Sequence, residues 1–505
     1  MFHSSKIIYA LLLAGAVLTG CSQREDFEVI EGNEPALQDN ASVVFRIQTN
    51  TAPSLTTRSV EDSYEHLPGT EAEYQVNNVR VYLFEASSKL FEKSFLIPSQ
   101  KLKRIGSDDA YNIVYETEHV SVPQGTFDIF VMANTDVQIS QTNEADFLAA
   151  VDSATYEKGR ILTQDISKGI VMTNRATANV NTVIEKKADD ADNVVSITLE
   201  RVLARIDVAK GKDTYPLFDK NGTQYATISL DGYYIVNLPK KYYLYRHVAV
   251  LTNLTEPTWS LAEHFGNVSD VNGYVIDPYF FKKKLDASGF KNGEGYYRYF
   301  LGDIEGPSSV TWSSFTPAAE GVPQYNTIYC NENCMLAPAQ KNGYSTGVVF
   351  KATINPDKNV YHLAADGTLQ LVTDKSAYPD DIYYFDSKFY DSSEALAAAI
   401  GVSTLTGVSL DLYKVKQFEK DGDGYRCYYN YWIRHQDNNK PTVMGVMEFA
   451  IVRNNLYRIL ISNVSGLGYP EIPVNPDTPD EGETYLKVVL NVKPWIVRDL
   501  TNIVL

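Results

Sequence analysis

Two short motifs contain residue types that could do chemistry. Residues 343–347, GYSTG, fit the G-x-S-x-G pattern in which a serine nucleophile, here Ser345, lies at a sharp turn. That turn needs a strand before the serine and a helix after it, but the strand-like run VVFKATI follows here. We therefore expect Ser345 to lie in a hairpin loop, and we assign no catalytic residue.

The second motif is DGDG at residues 421–424, which resembles the beginning of a calcium-binding loop. Such a loop needs a glutamate at its twelfth position, which this stretch lacks, so we predict a tight turn. The seven histidines are not spaced as metal ligands are, and no phosphate-binding loop or dinucleotide fingerprint occurs. The sequence therefore predicts no metal site, no cofactor and no enzymatic activity.

Four cysteines are too few to form a disulfide scaffold in a chain of 505 residues. Beyond Cys21, the sequence contains Cys330 and Cys334 in the stretch YCNENC, and Cys427. No histidine lies near that stretch, so its spacing is a poor zinc signal. We expect either a local disulfide between Cys330 and Cys334 or ordinary thiols.

The composition describes an acidic, globular chain rich in strand-forming residues. The formal net charge is -18, and the chain contains 35 tyrosines. Because binding to phosphates needs a basic face, we predict no nucleic-acid partner. A chain of 505 residues is long enough for two or more domains, each with its own core.

The N-terminus has the features of an exported bacterial lipoprotein. Lys6 precedes an apolar run at 7–17, and the Leu-Thr-Gly-Cys that follows matches a lipobox ending at Cys21. The run is too short to span a bilayer and is typical of a cleaved signal peptide. We predict a signal peptide at 1–20 and lipidation of Cys21. The alternative is a plain signal peptide followed by a chance cysteine.

Most of the remaining chain has the pattern of β-strands. Runs rich in β-branched and aromatic residues recur between Gly, Asn, Asp and Pro, at 77–86, 125–135, 194–210, 225–238, 347–354 and 446–464. Helical patterns are few and short, at 143–151 and 393–401. After a polar tether at 22–40, we predict a mainly β fold of two antiparallel β-sandwiches in series, with a boundary near residue 190.

The first and last predicted strands each carry one continuous apolar row. Alternate side chains of a strand point to opposite faces, so Val43, Phe45 and Ile47 share one face of the first strand. The last strand has the same arrangement, with an apolar face made by Leu486, Val488, Leu490 and Val492. On alternation alone, both could be ordinary edge strands of their own domains.

The segments that flank these strands indicate a different role. A Ser/Thr-rich loop with Arg58 follows the first strand, so a trypsin-like protease cutting there would release strand and lipid together. Residues 466–483, with four prolines and five acidic residues, predict an extended, unpacked linker before the last strand. The last strand of a neighbouring copy could then refill the vacated groove by β-strand addition. Because donor and acceptor surfaces differ, this contact would propagate into an open filament.

Motifs spread over most of the chain are similar to those of one family. They are SVVFRIQTN…TTR, NNVRVYLFEA, VMANTD, RVLARIDV, YCNENC, STGVVFKATI, VRNNLYRILISNVSGLGYP and LKVVLNVKPW. In their order and spacing they resemble the fimbrillins of Bacteroidota, specifically major subunits of the minor-fimbriae type. The resemblance implies two tandem transthyretin-like antiparallel β-sandwich domains and assembly into type V pili by strand exchange.

The resemblance also implies a role for particular residues of this chain. An arginine-specific surface protease would cut between Arg58 and Ser59, residues 41–49 would form the displaced strand, and residues 485–505 would form the donor segment. Arg46, inside the first strand, is an alternative cutting site. A cut site together with a free C-terminal strand favours a stalk subunit over a tip or anchor subunit.

The expected organisation is a signal peptide at 1–20, a removed segment at 21–58, sandwiches at 59–190 and 191–484, and a donor segment at 485–505. The expected partners are further copies of the chain, accessory tip and anchor pilins, the protease, and the outer membrane that holds the lipid anchor before processing. The precursor would lie at the outer-membrane surface and the mature protein in an extracellular fimbria that contributes to adhesion. The alternative is an anchor or tip subunit, or a monomeric lipoprotein that binds a host or glycan ligand.

Overall fold

The fold is described from a computed structural model of the chain. The described residues are 40–49, 70–105, 113–135, 137–153, 156–157, 160–161, 169–188, 192–248, 275–280, 283, 293–319, 321–335, 339–435, 448–475, 480 and 486–494. Cys21, Arg58 and Ser59 lie outside them. Among the described residues, no helix is both long and apolar enough to cross a bilayer.

Thirteen described strands precede residue 202. They are β1 Asn40–Gln48, β2 Asn78–Glu85, β3 Phe91–Pro98, β4 Leu102–Ile105, β5 Val114–Thr117, β6 Val120–Pro123, β7 Gly125–Ala133, β8 Val151–Ser153, β9 Tyr156–Glu157, β10 Arg160–Ile161, β11 Met172–Asn174, β12 Thr182–Ile184 and β13 Asn193–Arg201. This part also contains helix α1 at Glu144–Leu148 and short 3-10 helices at Glu71–Glu73 and Ser99–Lys101.

Eighteen described strands follow. They are β14 Ala204–Lys210, β15 Thr214–Phe218, β16 Gln224–Val236, β17 Leu238–Pro239, β18 Lys241–Tyr243, β19 His247–Val248, β20 Val275–Ile276, β21 Tyr297–Arg298, β22 Asn326–Cys330, β23 Gly347–Pro356, β24 Val360–Leu363, β25 Leu369–Leu371, β26 Asp381–Phe385, β27 Lys388–Tyr390, β28 Lys416–Asp421, β29 Gly424–Trp432, β30 Asn455–Val464 and β31 Leu486–Pro494. The helices are α2 Gly293–Tyr296 and α3 Ser393–Ile400, with 3-10 turns at Leu301–Asp303, Pro307–Ser309 and Lys375–Ala377.

Ten of the strands before residue 202 form the first sheet. Along its main path the order is β3-β2-β7-β11-β13-β1-β5-β4, with β12 pairing with β7 and β6 with β1. The sheet folds back on itself, because apolar side chains of β1 and β13 share one core with those of β2 and β7. This arrangement is a β-sandwich closed around a single core.

Two facing sheets form the second sandwich. One has the order β22-β14-β30-β31, and the other has the order β15-β16-β23-β29-β28-β26-β27-β24-β25. Ile206 of β14 and Ile459 of β30 share a core with Phe350 of β23 and Tyr429 of β29. The predicted mainly β fold with sandwich architecture is confirmed.

Three pairs of described strands are parallel, which a purely antiparallel prediction does not include. They are β1 with β13, β14 with β30, and β24 with β27. Parallel neighbours need a long crossover connection, and most of the first sandwich separates β1 from β13 in the chain. Alternation within a strand cannot reveal such a partner.

The run at 194–210 contains two strands that belong to different sheets. β13 pairs with β1 and β11 in the first sheet, whereas β14 pairs with β22 and β30 in the second. A boundary near residue 190 would separate β13 from the sheet that it completes. We therefore propose a boundary after Arg201 in place of the predicted one.

The two predicted helical stretches and the predicted tight turn are confirmed. The Asn143 side chain caps α1 by accepting the Asp146 amide, and Ser392 caps α3 by accepting the Ala395 amide. The segment after α3 leaves through Gly401 in the left-handed conformation, at φ 83°. In the DGDG stretch, Asp421 at the end of β28 pairs with Gly424 at the start of β29, so the two residues between them form the turn.

Candidate assembly interface

The strand β1 is a buried part of the first sandwich core. Val43, Phe45 and Ile47 are each 0% exposed, and Ala41 on the same face is 2% exposed. The Phe45 ring lies 5.9 Å from that of Phe95 across the core. The predicted inward face is therefore the face that the structure buries. Burial of a large apolar side chain contributes about 1.5–3 kcal/mol, so the strand contributes strongly to this core.

β1 is an interior strand, so the alternative that it is an ordinary edge strand is wrong. On one side it pairs in parallel with β13, from Val43 opposite Asn193 to Gln48 opposite Thr198. On the other side it pairs antiparallel with β5 and β6. Removal of β1 would therefore leave two facing strand edges with unpaired backbone groups, and not one.

Polar contacts hold the outward face of β1 to its neighbours. The Arg46 guanidinium lies 2.8 Å from the Glu116 carboxylate. The Ser42 hydroxyl donates to Asp192, which also lies 2.8 Å from His119 Nδ1. These two hydrogen bonds lower the pKa of Asp192. All of these groups are partly or largely exposed to solvent, so the contacts select a register and add little stability.

The strand β31 is the edge of its sheet among the described strands. It pairs antiparallel with β30, from Asn455 opposite Pro494 to Val464 opposite Leu486. Leu486 is 4% exposed, and Val488 is half-buried against the same core. The backbone of Leu490 lies opposite Ile459, and that of Val492 lies opposite Tyr457. The predicted donor strand is thus paired within its own chain on one side.

The described residues of the linker before β31, 466–475 and 480, pack against the second sandwich, so the prediction of an unpacked linker is wrong for them. Leu467 is 3% exposed and Ile472 is 7% exposed. The Tyr469 backbone exchanges hydrogen bonds of 2.7 and 2.8 Å with that of Tyr428. A Cβ on Gly468 would lie 2.3 Å from the Tyr428 carbonyl oxygen, so this close approach requires glycine. Two buried apolar side chains and one closely packed glycine therefore hold this segment against the sandwich despite its prolines and acidic residues.

A buried carboxyl group fastens the end of this linker. Asp480 is 3% exposed and its carboxyl group accepts a hydrogen bond from the Ser345 hydroxyl. Burial raises the pKa of Asp480 well above its usual range. A strand follows Ser345 as predicted, but the predicted hairpin loop is wrong, because β22 pairs with β14 whereas β23 pairs with β16 and β29. The Ser345 side chain is fully buried. The G-x-S-x-G stretch therefore has a visible structural role.

The cysteines of the second sandwich are free thiols in the core. Cys330, Cys334 and Cys427 are each 0% exposed and form no disulfide. Burial raises the pKa of each thiol, that of Cys427 to about 12. Of the two expectations for the YCNENC stretch, the structure therefore has ordinary thiols.

A buried ionic contact that sequence reasoning missed anchors the chain after the predicted cleavage loop. Glu73 is 0% exposed, and its carboxylate lies 3.0 Å from the Arg205 guanidinium. The Tyr329 hydroxyl donates to the same carboxylate at 2.6 Å, and Arg201 Nε donates to the Glu73 carbonyl at 2.6 Å. The contact joins the segment before β2 to β14 and β22, so this segment is held independently of β1.

The motifs RVLARIDV, YCNENC and VRNNLYR meet at this anchor and beside it. Arg453 lies 2.7 Å from the Glu332 carboxylate, and both side chains are almost fully buried. Arg201 donates to the Asn454 side chain at 3.2 Å. Arg201 and Arg205, which are charged residues within otherwise apolar strands, were the sequence signal for this network, because buried charges must be paired.

Two family models match this chain. Residues 54–201 match the major fimbrial subunit protein FimA, and residues 423–501 match the C-terminal part of the type IV major fimbrial subunit protein, fimbrillin. The chain belongs to the fimbrillin family. In this fimbrillin, the first match ends at the last residue of β13, and the second includes β29, β30 and β31.

Three solved structures similar to this fimbrillin are fimbrial or cell adhesion proteins. A fimbrilin (fimA) from Porphyromonas gingivalis W83 is 15% identical, with a TM-score of 0.43, over 91% of this chain and 99% of that chain. A candidate cell adhesion protein from Parabacteroides distasonis ATCC 8503 is 13% identical, with a TM-score of 0.45, over 90% and 100%. The tip fimbrial protein Mfa3 from Porphyromonas gingivalis is 11% identical, with a TM-score of 0.37, over 90% and 100%. No curated protein sequence matches the chain.

Proposed function

We propose that this fimbrillin is the stalk subunit of a cell-surface fimbria and that loss of β1 triggers its polymerisation. The matches to fimbrillin family models support a role as a fimbrial subunit. The observation that carries the finer proposal is the position of β1. A buried interior strand lies between a lipobox and a loop with Arg58, so one cut would remove a piece of core together with the lipid at Cys21.

Loss of β1 makes the first sandwich an acceptor. Four inward side chains would leave the core, and strand edges on β13 and on β5 with β6 would lose their partners. Such a groove is costly to expose, because each large apolar group contributes about 1.5–3 kcal/mol when buried. The Glu73 anchor supports this step, because it holds the following chain in place without β1.

Segment 485–505 of another copy is the proposed donor. Among the described strands of its own sheet, β31 pairs with β30 alone, whereas in the vacated groove it would lie between two strands. The exchange therefore replaces one ladder of hydrogen bonds with two. Because Asp480 and Ile472 fasten the linker, only the chain after residue 480 needs to move.

The proposal includes the partners that the chain needs. An arginine-specific surface protease cuts between Arg58 and Ser59, the outer membrane holds the precursor through Cys21, and accessory tip and anchor pilins begin and end the filament. The same proposal makes this chain a major subunit of the minor-fimbriae type.

Two truncations test the donor assignment. A chain without residues 485–505 should fold, form no filaments, and still join the end of wild-type filaments as an acceptor. A chain without residues 495–505 keeps β31 and separates the contribution of this strand from that of the tail. Filaments that persist after the longer truncation would refute the donor assignment. An Arg58→Ala chain should stay monomeric and lipidated, whereas an Arg46→Ala chain should be processed normally.

A further inference from the structure

The strand β1, whose loss would open the groove, and the strand β31 carry the same pattern of apolar positions. In β1 the buried apolar residues are Ala41, Val43, Val44, Phe45 and Ile47, where Val44, at 8% exposed, lies on the opposite face from the other four. In β31 the apolar residues are Leu486, Val488, Val489, Leu490 and Val492. Both sets have spacings of two, one, one and two, and polar residues occupy the positions between them.

We propose that β31 of a neighbouring copy enters the groove in one register, with Val489 in the place of Val44. This inference rests on the proposed function and adds to it the register of the contact. Val44 is the one buried apolar residue on the outward face of β1, and Val489 is its counterpart in β31. Because the pattern is symmetric about its centre, this match holds whichever direction the donor runs.

Other registers bury the wrong groups. A slip of one residue would turn Lys487 and Lys493 into the core, because one residue exchanges the two faces of a strand. A slip of two residues toward the C-terminus would put Pro494 in the apolar row, where it has no amide proton for the ladder. A slip of two residues the other way would put Lys487 in the buried place of Val44.

Disulfide cross-linking of assembled fimbriae tests this register. Val194 on β13 pairs with Val44 and is 49% exposed, so a cysteine there is tolerated and accessible. In the proposed register, a Val194→Cys, Val489→Cys chain should give a covalent ladder on a non-reducing gel. The matched controls combine Val194→Cys with Lys487→Cys or with Asn491→Cys. Two residues along a strand move the partner by about 6.6 Å, beyond the reach of a disulfide.

The outcomes separate the register from the function. A ladder with position 489 and none with 487 or 491 supports the proposal. Fimbriae that cross-link through 487 or 491 overturn the register but keep strand exchange. Fimbriae that cross-link at none of the three positions overturn β31 as the occupant. If wild-type chains form no fimbriae, the proposed function itself fails.

The direction of the donor follows from a second cysteine pair. A donor that runs as β1 does would place residue 487 where Ser42 lies, opposite Ser121, and a reversed donor would place it where Arg46 lies, opposite Glu116. Lys487→Cys should therefore cross-link with either Ser121→Cys or Glu116→Cys. Either result supports the register, and cross-linking with neither overturns it.

Discussion

Truncation of Phe45 should destabilise the precursor and leave the assembled fimbria unchanged. The Phe45 side chain is 0% exposed and lies against Phe95, and removal of a buried phenylalanine ring costs about 3–5 kcal/mol. An uncleavable Arg58→Ala precursor that also carries Phe45→Ala should therefore lose about that much free energy of unfolding. Urea denaturation followed by tyrosine fluorescence measures it. If processing removes β1, fimbriae assembled from a Phe45→Ala chain contain no residue 45.

The matched control is Ile197→Ala on β13. Ile197 is 1% exposed in the same core and stays in the protein after processing. It should destabilise the precursor by about 2–5 kcal/mol and also lower the temperature at which fimbriae dissociate. Loss of β1 on processing is refuted if Phe45→Ala lowers the dissociation temperature as Ile197→Ala does, because β1 would then remain in the fimbria. An unchanged precursor would refute the burial of Phe45.

Three further substitutions test the anchor and the linker. Glu73→Ala leaves the Arg205 charge without this buried partner and should lower the free energy of unfolding by about 3–5 kcal/mol, measured by heat or urea denaturation. The control Glu71→Ala should change it little, and equal effects of the two substitutions would contradict the anchor. Gly468→Ala places a Cβ 2.3 Å from the Tyr428 carbonyl oxygen and should speed proteolysis of the linker. A Cβ on Gly295 would meet no atom within 4 Å, so Gly295→Ala should leave proteolysis of the linker unchanged. Equal proteolysis of the two variants would argue against close packing of the linker. Because burial raises the pKa of Asp480 above its unfolded value, its stabilising contribution is present below about pH 4 and is lost as pH rises. In unfolding titrations between pH 4 and pH 8, an Asp480→Asn chain should therefore lose less stability than the wild type. Asp423→Asn, at an exposed position, is the control. An identical pH dependence in all three chains would count against a buried carboxyl group at Asp480.

Local patterns in the sequence predicted local structure well. Alternation identified the buried face of β1, and caps such as Asn143, and Ser392 with Gly401, mark the two predicted helices. These features depend on residues within one or two turns of each other. The glycine in the DGDG turn has a positive φ of 66°, which an ordinary side chain resists.

Features that depend on distant residues were not predictable in the same way. β1 is an interior strand because β13 and β5 lie beside it, and these strands are remote in the chain. The linker packs because Leu467 and Ile472 find apolar partners that composition does not reveal. The predicted boundary near residue 190 differs from the one proposed after Arg201, because no glycine or proline separates β13 from β14 in the sequence.

The candidate site was predictable in part. The inward residues of β1 were identified from alternation, while the Glu73 anchor could not be, because Glu73 meets Arg205 and Tyr329 only in the folded chain. Arg201 and Arg205, within otherwise apolar strands, are the signal that would have indicated a buried network. Without a known partner for each charge, that signal does not say which pairs form.

The most direct test of strand loss as the trigger is the N-terminal residue of the protein taken from the cell surface. Intact mass and N-terminal sequencing would be measured beside an unheated gel of the same sample. We predict a chain that begins at Ser59 and runs as a ladder of high-mass species. A chain that begins at lipidated Cys21 and runs as a monomer would contradict cleavage-triggered strand exchange.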